Sequence, residues 1–488
     1  MYKILLHGIT NKYDLQELIK VFLSPDMFVS YTDAEAEAAA DLEAKYENSN
    51  LAAGGTQPAE IAAPAAQPIL LEINQALSAD KNEIKREIYR KLAAVTGYEP
   101  EWGILTGVRP VKLAGELLDR LQDMEAVRRT LREDYLLAES KIDLLTDTLA
   151  YQREVCGKAA PDSVGVYIGI PFCPTRCLYC SFTSNQVPDA EIARYLEALK
   201  QEIAYVGRRM RQTGLWAESI YIGGGTPTTL TAEQLEELLT TVEHAMDLTK
   251  LKEFTVEAGR PETITYEKLE VLQQHHIARI SINPQSMHAK TLDLIGREHR
   301  PDDIVKAFQR ADWVGIPIVN ADVITGLPEE SPADFVETME ALLALDPENI
   351  TVHTLAVKRA SRLVEVDKDF HYKQGETVKE MLAVAQQKLK AAGFCPYYLY
   401  RQKHMAGAFE NTGYCKGDTP CIYNIRIMEE KQTILALGAG GISKIYYPDE
   451  NRLERVPNVS NYEIYISRLE EMLDRKEQNI FKEVEKRC

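Results

Sequence analysis

Apolar and polar positions change their period along the chain. From Val164 onward, short β-branched runs such as VGVYIGI, SIYIG and EFTVE alternate with stretches at helical spacing. We predict helices over 189–211, 231–246, 265–275, 288–295 and 332–345. Strands alternating with helices are typical of βαβ units and a parallel sheet. Six units are too few for a closed eight-stranded barrel, so the α/β fold is an open (β/α)6 partial TIM barrel or a doubly wound sheet.

The segments on either side of this region have other patterns. Residues 1–155 predict an N-terminal α+β extension, with an Ala/Glu-rich and then Gly/Pro-rich flexible insertion at about 33–68. After the core at 160–375, residues 376–488 begin with a helix near 377–391 and continue into the tyrosine-rich PYYLYRQKHM. We expect this third segment to be a smaller domain that covers the barrel mouth.

Composition and charge limit the possible functions. The 488 residues are 45% hydrophobic, and 56 Lys and Arg stand against 74 Asp and Glu, which gives a net charge of −18. This charge argues against nonspecific nucleic-acid binding, and a polyanionic ligand would need a local cluster of cations. There is no apolar run of the roughly 18–20 residues that span a bilayer, and the N-terminus lacks a secretory pattern. We expect a cytoplasmic monomer.

Three of the eight cysteines, Cys173, Cys177 and Cys180, lie in a C-x3-C-x2-C loop after the first barrel strand. Three thiolates in one loop suit an iron–sulfur cluster or zinc. A structural zinc site needs a fourth ligand, usually from a second C-x2-C pair, and neither follows nearby. A [4Fe–4S] cluster held by three thiolates leaves one iron open to bind a cofactor or substrate. For Cys395, Cys415 and Cys421, whose spacing is irregular, packed or partly exposed thiols are favoured over a second metal site.

Further candidate residues follow successive predicted strands. They lie at the carboxyl ends of the strands, where α/β proteins have their active sites. The second strand is followed by Gly-Gly-Gly-Thr-Pro at 223–227, which is not a Walker loop because no GK[ST] follows. The third to sixth strands are followed by Glu257, Gln285 with Arg297 twelve residues later, Asp322 and Ala356.

The cysteine loop, with Tyr179 before its last cysteine, resembles that of radical S-adenosylmethionine (SAM) enzymes. The whole series of motifs is similar to the oxygen-independent coproporphyrinogen III oxidase family, and its N-terminal WGILTGVRP segment points to the HemZ branch. The resemblance implies the partial barrel of the radical SAM type and one [4Fe–4S] cluster held by the three cysteines. It also implies one or two SAM molecules and a tetrapyrrole substrate.

Residue roles are carried over position by position. Tyr167, Gly224 and Glu257 correspond to positions that contact the cluster-bound SAM, and Tyr167 is also the candidate catalytic residue. Other positions correspond to contacts with a second SAM or with the substrate region: Tyr179, Gly225, Thr226, Gln285, Arg297, Asp322 and Ala356.

The sequence departs from the family pattern in three places. Gly169 replaces the histidine of the usual Y-x-H-I-P motif, and Ser181 stands where related oxidases have a fourth cysteine. Heme-chaperone relatives carry an H-N-x-x-Y-W motif with a candidate heme-ligating histidine, and Glu410 occupies that position here.

The resemblance implies oxidative decarboxylation of two propionates of coproporphyrinogen III to vinyl groups, giving protoporphyrinogen IX. It requires an electron donor for the cluster and an electron acceptor that the sequence does not identify. Lys358, Arg359 and Arg362 are our candidates for a propionate clamp, because guanidinium and ammonium groups bind carboxylates. A heme-binding or heme-transfer protein that retains the cluster is one alternative, and a radical SAM enzyme acting on heme or another tetrapyrrole is a second.

Overall fold

The computed structural model describes residues 1–9, 12–36, 69–74, 80–182, 184–358, 361–367, 370–403 and 405–486. By contacts, one unit comprises Met1–Val108 with Leu117–Thr146, and the other comprises Arg109–Glu116 with Asp147–Cys488. Most of the insertion predicted at 33–68 lies outside the described residues. The division into three domains stays a prediction.

The first unit contains a three-stranded parallel sheet in the order β2-β1-β3, formed by β1 (Tyr2–His7), β2 (Phe28–Thr32) and β3 (Ile69–Asn74). Apolar residues of the sheet and of the helices α1 (Tyr13–Phe22) and α2 (Lys81–Thr96) form one core. Three further helices follow in the chain, α3 (Pro110–Leu121), α4 (Met124–Glu133) and α5 (Glu139–Val155). Strand β3 was not predicted from the sequence.

The second unit is built on a mixed sheet with the order β10-β11-β9-β8-β7-β6-β5-β4-β12-β13-β14. Its centre consists of parallel strands: β4 (Ser163–Ile170), β5 (Trp216–Gly224), β6 (Glu253–Glu257), β7 (Arg279–Gln285), β8 (Ile318–Thr325) and β9 (Asn349–Thr354). The six predicted βα units are therefore present, and the α/β fold class is confirmed.

Strands from the last segment extend this sheet at both edges. Beyond β9 lie the antiparallel strands β10 (Phe394–Arg401) and β11 (Glu410–Lys416). On the other side, β12 (Thr433–Leu437) pairs parallel with β4, and β13 (Ile442–Tyr447) and β14 (Arg452–Pro457) continue antiparallel.

Helices connect the parallel strands: α6 (Asp189–Thr213), α7 (Ala232–Ala245), α8 (Tyr266–Gln274), α9 (Ala289–Leu294), α10 (Pro301–Val314) and α11 (Pro332–Ala344). Thr231 and Ser331 open α7 and α11 with capping boxes, and Gly214 and Gly315 close α6 and α10 in the left-handed conformation. The remaining helices are α12 (Leu363–Val366), α13 (Phe370–Lys373), α14 (Gly375–Ala391), α15 (Ile422–Glu429), α16 (Tyr462–Ser467), α17 (Leu469–Lys476) and α18 (Lys482–Glu485).

The direction of the central strands explains why the candidate functional residues of the second unit lie close together. Seven of the eight residues of β4 are buried, so both faces of this parallel strand are covered. Because β4 to β9 run in the same direction, the residues that follow them meet at one edge of the sheet. In the described part of the chain, no helix has the length and apolarity to cross a membrane.

Candidate active site

The cysteine loop follows β4 and is held by backbone hydrogen bonds at both ends. Cys173 N donates to Asn185 O (3.1 Å), and Leu178 N donates to Ile295 O (2.9 Å). Cys177 is buried, and Cys173 and Cys180 are half-buried. All three line one cavity. The structure therefore brings the three predicted cluster ligands together in a single pocket wall.

The glycine-rich segment after β5 lies directly against this loop. A Cβ on Gly225 would lie 2.3 Å from Phe172 O and 3.0 Å from Cys173 Sγ, so only glycine permits this approach. Thr226 Oγ1 lies 3.4 Å from Cys173 Sγ and is close enough to hydrogen-bond to it. Burial raises the pKa of the Cys173 thiol to about 11, so this thiol stays protonated until a metal displaces the proton.

Arg260, which the sequence analysis did not select, supports the loop from the end of β6. Its Nη2 donates to Thr175 O (2.9 Å), to Thr175 Oγ1 (2.8 Å) and to Cys177 Sγ (3.2 Å). These hydrogen bonds hold the loop in place at Thr175 and Cys177. The position of Arg260 three residues after Glu257, in EAGR, was the one available signal.

Glu257 ends β6 with its carboxylate inside the cavity. Tyr221 Oη donates to Oε1 (2.6 Å), and Gly224 N donates to Oε2 (3.2 Å). Burial, reinforced by the carboxylate of Asp322, raises the pKa of Glu257 to about 7. Gly224 has a φ of +115°, and a Cβ there would lie 3.3 Å from Tyr167 Oη, so Tyr167 closes the same corner. The three predicted SAM-contacting residues are thus neighbours.

Arg297 links the cysteine loop to the ends of β6 and β7. Its Nη1 donates to Gly259 O (2.8 Å), and its Nη2 donates to Tyr179 Oη (3.0 Å). Gln285, the last residue of β7, has a φ of +66°, an uncommon conformation for a residue other than glycine. Among the described residues, Arg297 Nε, Gln285 Oε1 and Asn283 Oδ1 are buried without a hydrogen-bond partner.

The remaining predicted positions lie along β8 and after β9. Asp322 Oδ1 accepts a hydrogen bond from Asn320 Nδ2 (2.7 Å), and its Oδ2 lies 3.5 Å from His353 Nε2. Ala356 makes an isolated bridge with Met405, and both Asp322 and Ala356 line the cavity.

The cavity joins these groups in a volume of about 640 Å³. Its wall includes tyrosines from both halves of the second unit. Tyr221 stacks on Tyr423 with ring centroids 4.8 Å apart, Tyr167 stacks on the same pair, and Tyr398 stacks on Tyr400 at 6.1 Å. The volume falls within the roughly 300–1,000 Å³ of pockets that bind small organic ligands.

The proposed propionate clamp is only partly assembled. Lys358 lines the cavity, and burial lowers the pKa of its ammonium. Arg359 lies outside the described residues, and Arg362 is exposed and does not line the cavity. The assignment of propionate binding to these three residues stays a prediction.

Among the described residues, no group of three or more His, Cys, Asp or Glu side chains is arranged around a single metal ion. Cys415 donates to Tyr151 Oη (3.2 Å) and Cys421 donates to Glu253 Oε1 (3.1 Å), while Cys395 is exposed. The ligands of a four-iron cube lie farther apart than those of one ion, so the C-x3-C-x2-C loop remains compatible with a cluster.

Sequence reasoning missed several lining residues besides Arg260. The tyrosines of PYYLY were predicted only as a strand, and the residues of α15 and β13 had no signal. These residues are Tyr221, His353, Tyr398, Tyr400, Tyr423, Asn424 and Lys444.

Comparison with known proteins agrees with this geometry. The radical SAM superfamily model matches residues 167–342. The HemZ protein of Bacillus subtilis, described as oxygen-independent coproporphyrinogen-III oxidase-like, is 38% identical over 401 residues, which are 81% of this chain and 80% of that protein. The heme chaperone HemW of the same species is 32% identical over 234 residues, covering 47% of this chain and 61% of HemW.

Among solved structures, coproporphyrinogen III oxidase (HemN) from Escherichia coli is similar in fold, with a TM-score of 0.52 and 21% identity. The match covers 66% of this chain and 73% of HemN. The chain belongs to the radical SAM superfamily and, within it, to the family of oxygen-independent coproporphyrinogen-III oxidase-like proteins. Its cofactors are accordingly a [4Fe–4S] cluster and SAM.

The residues present fit both groups. Three cysteine thiols converge in one wall, with Arg260 donating to one of them and glycine backbone against another. Beside them lie a carboxylate for a cationic ligand and three polar atoms without partners among the described residues. Cys173, Cys177 and Cys180 would hold the cluster, and Glu257 with the Gly224 backbone would hold SAM.

Proposed function

We propose that this protein is an oxygen-independent coproporphyrinogen III oxidase, which converts two propionates of coproporphyrinogen III to vinyl groups. The observation that carries the proposal is the continuity of the cavity. One wall holds the three cysteines and Glu257, and the other walls hold stacked tyrosines and lysine side chains. A large, flexible tetrapyrrole with four carboxylates requires such a combination of aromatic and cationic groups beside the cofactors.

The tyrosine faces suit the pyrrole rings. Tyr167, Tyr221 and Tyr423 are stacked with interplanar angles of 18° to 25°, and all three line the cavity. Burial raises the pKa of all three hydroxyls, so they remain neutral and can donate hydrogen bonds. Tyr221 uses its hydroxyl to orient Glu257.

Cations in the wall suit the carboxylates. With a net charge of −18, the protein as a whole repels a tetracarboxylate, so local positive groups must offset the repulsion. Lys358 lies in the cavity and near the ring of Phe182, with its Nζ 5.9 Å from the ring centroid. It is the member of the predicted clamp that supports a propionate contact.

The bound cluster and SAM would supply the adenosyl radical that takes one hydrogen atom from a propionate β-carbon. The propionate then loses CO2 and passes one electron to an acceptor, which leaves a vinyl group. The chain's own residues position the reactants and exclude water. Glu257 holds or releases a proton near neutral pH, and Arg297 ties Tyr179 of the cysteine loop to the backbone after β6.

The test is an anaerobic assay of the reconstituted protein with reductant, SAM, coproporphyrinogen III and an added electron acceptor. We expect CO2 release with formation of monovinyl and divinyl products. A variant with Cys177→Ala is the matched negative control. SAM cleavage with heme consumption and without CO2 would contradict the proposal in favour of another tetrapyrrole reaction.

Heme transfer is the second candidate, because the HemW chaperones also match the chain. In the chaperone pattern stated above, Glu410 occupies the position of the candidate ligating histidine, and it is 2% exposed on β11. Stoichiometric heme binding by the wild type, without decarboxylation under the assay conditions above, would favour this second function.

A further inference from the structure

A group of four cations surrounds one carboxylate behind the cavity wall. Glu430, which directly follows α15, lies 3.0 Å from Arg109 Nη2 and 3.3 Å from Lys112 Nζ. Lys444 Nζ and Arg455 Nη2 lie 3.8 Å and 3.9 Å from its Oε1. We call Arg109, Lys112, Lys444, Arg455 and Glu430 the basic cluster. It includes Arg109 from the GVRP stretch, to which the proposed reaction assigns no role.

The charges of the basic cluster do not balance. Four cations face a single carboxylate, in a protein whose net charge is −18. Lys444 and Arg455 are directly opposite each other on β13 and β14, an arrangement of like charges that costs stability. In the described part of the chain, Arg109 Nε is buried and has no hydrogen-bond partner. An additional anion would relieve this excess.

Lys444 connects the basic cluster to the cavity. Its side chain is 11% exposed, and it lines the same cavity as the three cysteines. Its Nζ donates to Ile427 O (3.3 Å), while Glu430 is 3.8 Å away and is paired more closely with Arg109 and Lys112. An ammonium has three N–H donors, so Lys444 retains capacity for a ligand.

We propose that Lys444, backed by Arg109, Lys112 and Arg455, anchors a carboxylate of the tetrapyrrole in the cavity. The inference rests on the proposed function and adds a specificity-determining residue to it. The anchored carboxylate determines which way the macrocycle faces the cysteine loop. A porphyrin without free carboxylates therefore lacks this contact.

The pH dependence of binding gives a second signature. The pKa of Lys444 is lowered to about 8, chiefly by burial. The positive charges of Arg109, Arg455 and Lys112 contribute to this lowering of the pKa, and the negative charge of Glu430 opposes it. An anion binds the protonated amine, so affinity for the carboxylate should fall as the pH rises through about 8. An arginine at this position stays charged and should remove that fall.

The experiment measures binding of coproporphyrin III, the stable oxidised porphyrin with the same four propionates, to anaerobically reconstituted holoenzyme. Equilibrium dialysis at pH 7 and pH 9 compares wild type, Lys444→Met and Lys444→Arg. The control is Lys306→Met, which changes an exposed lysine on α10. Circular dichroism and iron content establish that each variant is folded and loaded.

We expect Lys444→Met to weaken binding of coproporphyrin III at pH 7 by about 10- to 100-fold, the value of one charge-assisted hydrogen bond. Lys444→Arg and Lys306→Met should bind within a few-fold of wild type, and the tetramethyl ester should bind wild type and Lys444→Met equally.

Unchanged binding of coproporphyrin III to folded Lys444→Met would overturn the anchor while leaving the decarboxylase proposal intact. Lysine-dependent binding without CO2 release would support the anchor and contradict the decarboxylase. A wild type that binds no porphyrin would overturn the anchor, and a wild type that also releases no CO2 from coproporphyrinogen III would overturn both proposals.

Discussion

At the amino ends of β5, β6 and β7, the charged residues Glu218, Glu253 and Arg279 are buried in ion pairs. At the carboxyl ends of the same strands, Glu257 faces the cavity, and among the described residues no cation donates a hydrogen bond to it. In the same part of the chain, Gln285 Oε1 is buried without a hydrogen-bond partner. Both ends belong to the same parallel sheet, so the contrast does not arise from the sheet itself.

Glu218 and Glu257 show the difference in detail. Glu218 accepts from four donors: Arg426 Nε and Nη2, Lys252 Nζ and Gln432 Nε2. Although burial opposes it, the guanidinium of Arg426 holds the pKa of Glu218 below its ordinary value. Among the described residues, the donors to Glu257 are the uncharged Tyr221 hydroxyl and Gly224 amide, and the pKa of Glu257 rises to about 7.

The comparison separates structural from ligand-binding polar groups. A buried polar group that already has its partners contributes to stability and has nothing left to offer a ligand. A buried group with missing partners costs stability until a ligand supplies them. On this basis, the buried ion pairs at the amino ends of the strands stabilise the second unit, and the carboxyl ends are the proposed site of the cofactors.

The largest expected effect comes from removing a ligand at the carboxyl ends. Cys177→Ala should abolish the iron–sulfur absorbance and reduce SAM cleavage to the level of a sample without enzyme. The unfolding free energy of the apo protein should change by only about 1 kcal/mol. Iron analysis and urea unfolding measure the two effects, and Cys395→Ala, at an exposed cysteine, is the control. Retention of the cluster in Cys177→Ala would contradict the assignment.

At the amino ends, the same comparison predicts a loss of stability instead. Arg426→Met leaves the Glu218 carboxylate buried without its main partner and should lower the unfolding free energy by about 3–5 kcal/mol. Lys252 also pairs with Glu218, but the lysine side chain is 51% exposed. Lys252→Met should therefore lower the unfolding free energy by less than about 1 kcal/mol. Urea unfolding of the apo proteins measures both changes. Equal losses of unfolding free energy in the two variants would show that the burial of the cation does not determine how much its ion pair stabilises the protein.

Glu257→Gln should change stability less than Arg426→Met does, and in the opposite direction. The pKa of Glu257 is raised from about 4.5 to about 7 on folding, so the folded state holds its proton more tightly, and wild type loses stability as pH rises through this range. Glu257→Gln does not titrate and should be about 1–3 kcal/mol more stable than wild type at pH 8, with the difference vanishing near pH 4.5.

The same variant should bind SAM more weakly than wild type at pH 8, because the carboxylate is lost. Calorimetric titration at pH 6 and pH 8 checks this result: wild type should gain affinity with pH, and Glu257→Gln should not. A variant that is less stable at pH 8 yet binds SAM normally would place Glu257 among the structural groups.

Much of the fold could be predicted because burial imposes a period on the sequence. The parallel strands are almost wholly apolar and their helices are amphipathic, so β4 to β9 and most of their helices were found near their observed bounds. Helix α10 was missed, although it begins at Pro301 and ends before the left-handed Gly315. The joining of β10 to β14 to the same sheet was not predicted, because pairing between distant strands leaves no local pattern.

The site divides in the same way. Residues in or just after the strands, such as Glu257, Gln285 and Asp322, were recognisable because they belong to the strand pattern or lie next to it. Arg260, Tyr423 and Lys444 reach the cavity from positions that no motif marks. Arg362 was grouped with Lys358 because the two are near in sequence, yet Lys358 lines the cavity and Arg362 is exposed and does not.

The sequence by itself determined the repeated βα units, the three clustered thiols and the family, because each depends on residues close together in the chain. Only the tertiary structure decided which polar groups have partners and which do not. That distinction depends on contacts such as Glu218 with Arg426, which are 208 positions apart. The physical reason is that the cost of burying a polar group is set by its neighbours in space, which the folded chain alone brings together.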